Sequence, residues 1–315
     1  MKNMISDVKK NRKRLWRLIV KNRYMYLMLL PVIAYFIIFK YWPMYYLRMA
    51  FYDFKIMLGF EKSKYLGFQN FVQFMTGSNF TRVISNTMIL NILSLFLMFP
   101  LCILLAIMLN EVRSRWFKNT IQTLTYMPHF ISTVILISMI NNVISPSVGI
   151  LGSLAKLMGG KPYYYLGDPA YFRAINVISG IWQTTGWNSI VFLAAITSID
   201  PALYEAATVD GAGRLQRICH VTLPGIRDTI LILIILRIGA LLGSNFEKVY
   251  LLQNDLNLSV SETLATYVYK TGMTRSKLGF STAVGLFESV VSLFLVLIAN
   301  IASRKLTGDN TATVL

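Results

Sequence analysis

Tyr204–Pro224 reads YEAATVDGAGRLQRICHVTLP, and the rest of the chain is read outward from it. The stretch is too polar to stay in a bilayer core, yet long apolar runs flank it on both sides, so it joins two membrane crossings. Asp200 and Pro201, just ahead of it, are an N-cap residue and a residue preset for the first helical position. They predict a helix starting there. Ala202, Ala206 and Ala207 give that helix a small-residue face that another backbone can approach closely. Gly211 and Gly213 predict its end, and Leu223-Pro224 predicts the end of a second short helix carrying Arg214 and Arg217. The product is a helix, a tight turn and a helix at the membrane surface.

On either side of this loop the composition is that of an integral membrane protein. Of 315 residues, 55% are hydrophobic, and they cluster in runs, more than a soluble core can hide. Windows long enough to cross a bilayer core fall at about 24–47, 84–109, 121–144, 174–197, 229–251 and 282–302. The expectation is an all-α protein with about six transmembrane helices. The first window holds Pro31 and Pro43, is flanked by aromatics and has no small-residue cleavage site after it, so it reads as a span and not a cleavable signal. One polytopic domain, 24–305, then lies between a basic N-terminal segment, 1–23, and a polar tail, 306–315, expected to be disordered. The basic segment holds Lys2, Lys9, Lys10, Arg12, Lys13, Arg14, Arg17, Lys21 and Arg23. By the positive-inside rule that end is cytoplasmic, and six crossings return the C-terminus to the same side.

The net charge of +17 is spread over termini and loops between lipid-sized spans. It therefore serves topology and anionic headgroups, not nucleic acid. Cys102 in the second span and Cys219 in the polar loop give no disulfide or metal framework, and His129 and His220 are isolated from each other. No glycine-rich phosphate loop is present, so this chain binds neither ATP nor Mg and any ATP-derived energy arrives from a separate subunit. Three segments outside the bilayer, about 48–83, 145–173 and 252–281, are long enough to form short interfacial helices or a docking surface.

Within the spans, Asn91, Trp182, Trp187, Asn188 and Asn245, together with Asn86, Ser94 and Gln183, combine amides with ring faces. Sugars present hydroxyl edges and flat C–H faces, so these are candidates for a sugar path. The same residue types also serve helix-helix hydrogen bonding. Arg237 and Glu288 lie deep in apolar runs and must face protein or water. An Arg237–Glu288 pair tethering the last two spans is one expectation; the other has Arg237 capping backbone carbonyls and Glu288 wetted by the path.

Glu205, Ala206, Ala207, Gly211, Val221, Leu223 and Pro224 fill the pattern Glu-Ala-Ala, three residues, Gly, nine residues, an aliphatic, any residue, Leu-Pro. This resembles the EAA loop of permease subunits in binding-protein-dependent type I ABC importers, with Val221 where isoleucine is usual. The runs YMPHFIS from Tyr126, IWQTTGWNSIVFLAAITSIDPALYEAA from Ile181 and FSTAVGLFESVVSLFLVLIAN from Phe280 resemble the carbohydrate branch, above all the polysaccharide or lipoprotein-type permeases. The resemblance runs from about Tyr24 to Lys305. It implies that residues 200–224, with Asp210 in the turn, couple to an ATPase, that Glu205 pairs with a basic residue there, and that Gly211 sets the turn. It also implies a second, similar permease, two ATPase subunits that bind ATP and Mg, an extracytoplasmic substrate-binding lipoprotein, and a bacterial inner-membrane location. Two rivals are an ion-coupled secondary transporter, which would use Arg237 with Glu288, and a membrane-embedded glycosyl- or lipid-modifying enzyme, for which Asp200, Glu205 and Asp210 are the only clustered acids.

Overall fold

The computed structural model describes residue 18, residues 20–243 and residues 245–307. Most of the basic cluster, from Lys2 to Arg17, and the tail after Thr307 lie outside the described residues. Ten helical elements set the architecture: α1 (Arg23–Phe51), α2 (Phe80–Glu111), α3 (Arg115–Phe130), α4 (Thr133–Ile144), α5 (Pro169–Thr197), α6 (Pro201–Val209), α7 (Arg214–Gly225), α8 (Arg227–Gly239), α9 (Phe246–Leu252) and α10 (Leu278–Thr307). Among the described residues, α1, α2 and α10 are each long and apolar enough to cross a membrane, and bent helix pairs raise the number to as many as six.

The central pair is α2 and α5. Cys102, Ala106 and Leu109 of α2 pack on Phe192, Leu193 and Ile196 of α5, with Ile226 closing the cluster. Further along α2, Leu90 meets Phe172, Ile137 and Val249, and Val83 meets Phe74, Leu264 and Val284 of α10. At Gly186 the third element rides directly on α5: a Cβ there would lie 2.0 Å from the Thr125 carbonyl oxygen, so only glycine admits the approach. By contrast the Arg23–Phe36 part of α1 buries no residue against the rest of the chain.

Two of the expected spans are interrupted. The run 121–144 is not one helix, because α3 and α4 meet at 99°. Pro128 cannot donate to a continuing helix, and Ser132 restarts the chain by accepting from the Ile135 N–H at 3.4 Å. The run 229–251 breaks as well: α8 stops at Gly239, Ala240–Gly243 forms a turn, and Asn245 adopts a left-handed backbone, φ +64°, before α9 begins. Asparagine tolerates that conformation better than other L residues.

The end expected at Leu223-Pro224 falls at Gly225, one residue later, with Ile226 outside both helices. A π turn over Ile218–Thr222 precedes Leu223–Gly225, and the chain enters α8 after a 59° bend. The wide turn re-registers the backbone ahead of Pro224, which has no N–H to give. α1 uses the same device, with a π turn over Ile37–Tyr41 ahead of Pro43.

The three outer segments carry the short helices Gly59–Lys62, Gln69–Thr76, Ile150–Leu157, Leu258–Ser261 and Leu264–Tyr269. A two-residue antiparallel pair of β1 (Tyr52–Asp53) with β2 (Lys64–Tyr65) is added. Polar bonds tie the 254–266 segment to α2: Asn86 donates to the Ser259 carbonyl at 2.9 Å, Thr87 accepts from the Leu264 N–H at 2.8 Å, and Arg82 pairs with Glu262. Beside α5, Asp168 caps the helix through Ala170 and accepts from the Tyr163 hydroxyl. That hydroxyl bond, then the backbone one, holds Asp168 below the usual carboxylate range, and the same hydroxyl bond raises Tyr163.

Candidate functional site: an interior cavity and a surface loop

A cavity of about 320 Å³ opens where α2, α3, α5 and the interrupted fifth span meet. Asn91 of α2 donates to the Leu241 carbonyl at 2.7 Å and to the Thr87 carbonyl at 3.0 Å. Helix breaks free carbonyls that must find donors, and Asn91 supplies one to the turn. Gln183 does the same for the α3–α4 bend, donating to the Ile131 carbonyl at 3.0 Å. Next to it the Trp187 indole stacks on His129, centroids 4.6 Å apart and planes 5° from parallel. The bend that brings His129 over α5 therefore builds one wall of the cavity.

The charge of the cavity is one-sided. Arg237 and Lys248 line it, with Asn91, Asn176, Asn188 and Asn245, and no Asp or Glu is among the described residues that line it. Lys248 is buried and its Nζ donates to the Asn176 carbonyl at 2.6 Å. Asn176 Oδ1 is buried with no hydrogen-bond partner among the described residues. A buried ammonium, a guanidinium and several amides form a donor-rich surface for an anionic, hydroxylated solute.

The remaining candidates lie elsewhere. Trp182 lines an apolar groove of about 560 Å³ between α4 and α5, with Met139, Ile175 and Ile178. Glu288 borders a separate cavity of about 380 Å³ with Phe246, Tyr269 and Ser281. Its carboxylate rests against Gly243, where a Cβ would meet Oε1 at 2.5 Å. Arg237 and Glu288 thus face different cavities flanking the turn and form no ion pair; among the described residues the ion pair found is Arg82–Glu262. Lys248, Asn176 and Thr184 were not singled out from the sequence. A lysine at the end of an apolar run reads as an interfacial anchor, and nothing in the run marks the break that turns it inward.

The surface loop is built by local bonds. Asp200 accepts from the Ala202 N–H at 2.9 Å and Pro201 occupies the first turn of α6. The helix closes through Gly211 at φ +77°, with the Ala212 N–H reaching the Ala207 carbonyl at 2.9 Å. Gln216 accepts from the Gly213 N–H at 2.7 Å and starts α7. Tyr204 and Thr222 share a hydroxyl bond of 3.0 Å that fastens α6 to the π turn, joining Ala206 and Ala207 on one arm to Val221, Leu223 and Pro224 on the other. Glu205 and Asp210 are exposed beside Leu203, Val209 and Leu215, of which Val209 is 88% and Leu215 77% accessible. So much apolar surface next to a carboxylate is suited to a protein contact.

Residues 98–308 match the family described as the binding-protein-dependent transport system inner membrane component. The chain belongs to this family. The polygalacturonan/rhamnogalacturonan transport system permease protein YteP of Bacillus subtilis (strain 168) is 43% identical over 297 residues, 94% of this chain and 92% of that protein. A crystal structure of a bacterial ABC transporter involved in the import of the acidic polysaccharide alginate contains a chain that superposes with a TM-score of 0.85 at 42% identity, over 93% of this chain and 99% of its own. The bacterial alginate ABC transporter in complex with alginate pentasaccharide-bound periplasmic protein gives 0.83 at 42% identity, over 93% and 98%. This chain is a multi-pass inner-membrane permease subunit of a type I ABC importer, and ATP hydrolysis belongs to a separate subunit of such systems.

Proposed function

We propose that this permease passes oligosaccharides bearing carboxylates, delivered by an extracytoplasmic binding protein, through a path that includes the cavity between α2, α5 and the α8–α9 break. The observation that carries the reading is the lining: Arg237 and Lys248 with four asparagines and, among the described residues, no acid. The named substrates of the relatives, polygalacturonan with rhamnogalacturonan and alginate, agree with such a lining. A second, similar permease completes the path, and two ATPase subunits, which bind the ATP and Mg, seat the 200–224 loop through Glu205 and its apolar neighbours. That loop and both termini then face the cytoplasm.

The test is uptake by the assembled importer in proteoliposomes, comparing an oligogalacturonide with its carboxyl-reduced neutral counterpart. A hydrogen bond to a charged group contributes about 1.5–3 kcal/mol, roughly a factor of ten or more in rate. Arg237→Gln should therefore lower kcat/KM for the charged sugar at least tenfold and leave the neutral one within about twofold. Equal losses for both sugars would refute the assignment of Arg237 to the carboxylate.

A further inference from the structure

The cavity of about 380 Å³ beside Glu288 has a chemistry opposite to that of the donor-rich cavity across the turn. Glu288 stands well inside α10, and among the described residues its carboxylate takes no hydrogen bond and no ion pair. An acid within a span must find water, protein or a passing solute, and this one keeps its full acceptor capacity. Ser281 and Thr282 line the same cavity, and each hydroxyl spends its proton on a carbonyl, of Val268 and Leu278 respectively, at 2.8 Å. These three side chains therefore present acceptors only. Phe246 and Tyr269 line the cavity as well, with ring centroids 5.0 Å apart and planes tilted by 50°. A π turn over Lys270–Thr274 follows Tyr269 and seats Gly272 on α10, where a Cβ would meet Ser281 Oγ at 2.6 Å. Such turns are frequent at functional sites.

The lining selects the ligand. A carboxylate brought up to Glu288 would be repelled, so the groups that suit Arg237 and Lys248 do not suit this cavity. A hard cation such as calcium takes about six to eight oxygen ligands, and here a single carboxylate is set among rings and aliphatic groups. A sugar ring without charge uses both parts of the lining: its hydroxyl edge donates to Glu288 and its C–H face lies on an aromatic ring. The two cavities also share a stretch of chain, Asn245 and Lys248 lining one and Phe246 the other. We propose that the Glu288 cavity is a subsite for an uncharged residue of the passing oligosaccharide, the donor-rich cavity taking the carboxylate-bearing one. This rests on the reading that the permease passes oligosaccharides, and extends it to mixed chains in which charged and uncharged residues occur together.

The test is uptake by the assembled importer in proteoliposomes, with an oligogalacturonide and its fully carboxyl-reduced counterpart. Charge-assisted hydrogen bonds are roughly twice as strong as neutral ones, so Glu288→Gln should lower kcat/KM for the reduced, uncharged sugar about fivefold or more. Uptake of the oligogalacturonide should not fall. Arg237→Gln has the opposite selectivity, and misfolding does not produce such a crossed pattern. Tyr269→Leu, which removes a ring face, should also slow the uncharged sugar and leave the charged one within about twofold. Losses for both sugars alike with Glu288→Gln, or for neither, would overturn the subsite even where Arg237→Gln behaves as expected. Equal losses with Arg237→Gln would refute the carboxylate site, with the subsite judged on Glu288 alone. Uptake of the uncharged sugar that depends on sodium or calcium in the wild type, and loses that dependence in Glu288→Gln, would overturn the subsite in favour of a cation site. Uptake of neither sugar by the wild-type importer would overturn both readings.

Discussion

Replacing Gly186 by alanine places a methyl group where α3 crosses α5. The added Cβ would stand 2.0 Å from the Thr125 carbonyl oxygen, 2.5 Å from its carbon and 3.0 Å from its Cβ. Two of these neighbours are backbone atoms, which cannot rotate aside, so α3 must retreat by about 1.4 Å to restore an ordinary contact of 3.4 Å. Overpacking of this kind costs about 1–3 kcal/mol, and a backbone obstacle belongs at the upper end. On the usual scale for a chain of this size, about 3 kcal/mol lowers Tm by roughly 6 °C. The same retreat pulls His129 off Trp187 and lengthens the Gln183 bond to Ile131, both on the displaced seam. Thermal unfolding in detergent, followed by tryptophan fluorescence, measures the fall. Gly285→Ala is the control: a Cβ there meets nothing within 4 Å, and alanine is the better helix former by about 1 kcal/mol. If Gly186→Ala melts within 1 °C of Gly285→Ala, the close crossing of α3 over α5 is wrong.

Asn245 holds a left-handed backbone and also lines the cavity, so two substitutions separate the roles. Asn245→Gly should keep the melting temperature and reduce uptake, whereas Asn245→Ala should cost about 1 kcal/mol of stability as well; thermal shift alongside transport distinguishes them. Gly211 has open space around it but φ +77°, so Gly211→Val strains the turn without a clash. It should abolish substrate-stimulated ATP hydrolysis with the protein still in the membrane, as should Glu205→Lys by reversing charge; wild-type stimulation in either would refute the loop's role in coupling. Cys219 is exposed in the loop and Cys102 is buried, so the native chain carries its own topology probe. An impermeant maleimide should label inverted vesicles and spare intact cells, and the opposite pattern would invert the orientation.

Much of the fold was legible because bilayer length and capping chemistry are local. Asp200-Pro201 start α6, and the apolar windows at 84–109 and 282–302 lie inside α2 and α10. The break within 121–144 has local marks in Pro128 and Ser132, whereas the break in the fifth span has none. Hydropathy averages over a run, and Ala240-Leu241-Leu242 around the fifth break is as apolar as the helix before it. The carbonyl freed at Leu241 is taken up by a tertiary donor, Asn91, 150 residues away in sequence. For the same reason the run did not distinguish Lys248, which faces the cavity, from an interfacial lysine, or Trp182, which lines an apolar groove, from Trp187. The five-residue spacing of Trp182 and Trp187 turns the two rings about 140° apart around α5, and which of them meets α3 is fixed by Gly186 packing on Thr125.

The one-residue joint between α7 and α8 has a mechanical corollary. Because a 59° bend and not a flexible linker joins them, with Ile226 packed in the core at the corner, the two helices form a bell crank with its pivot near that residue. Arg237 lies eleven residues along one arm, about 16 Å at 1.5 Å per residue. Turning the other arm by about 10° would swing that guanidinium by roughly 3 Å, enough to break or make a hydrogen bond in the cavity. A stroke of a few ångströms at the surface would thus be conveyed at nearly unit gain to the middle of the bilayer, with no need for the helices themselves to flex.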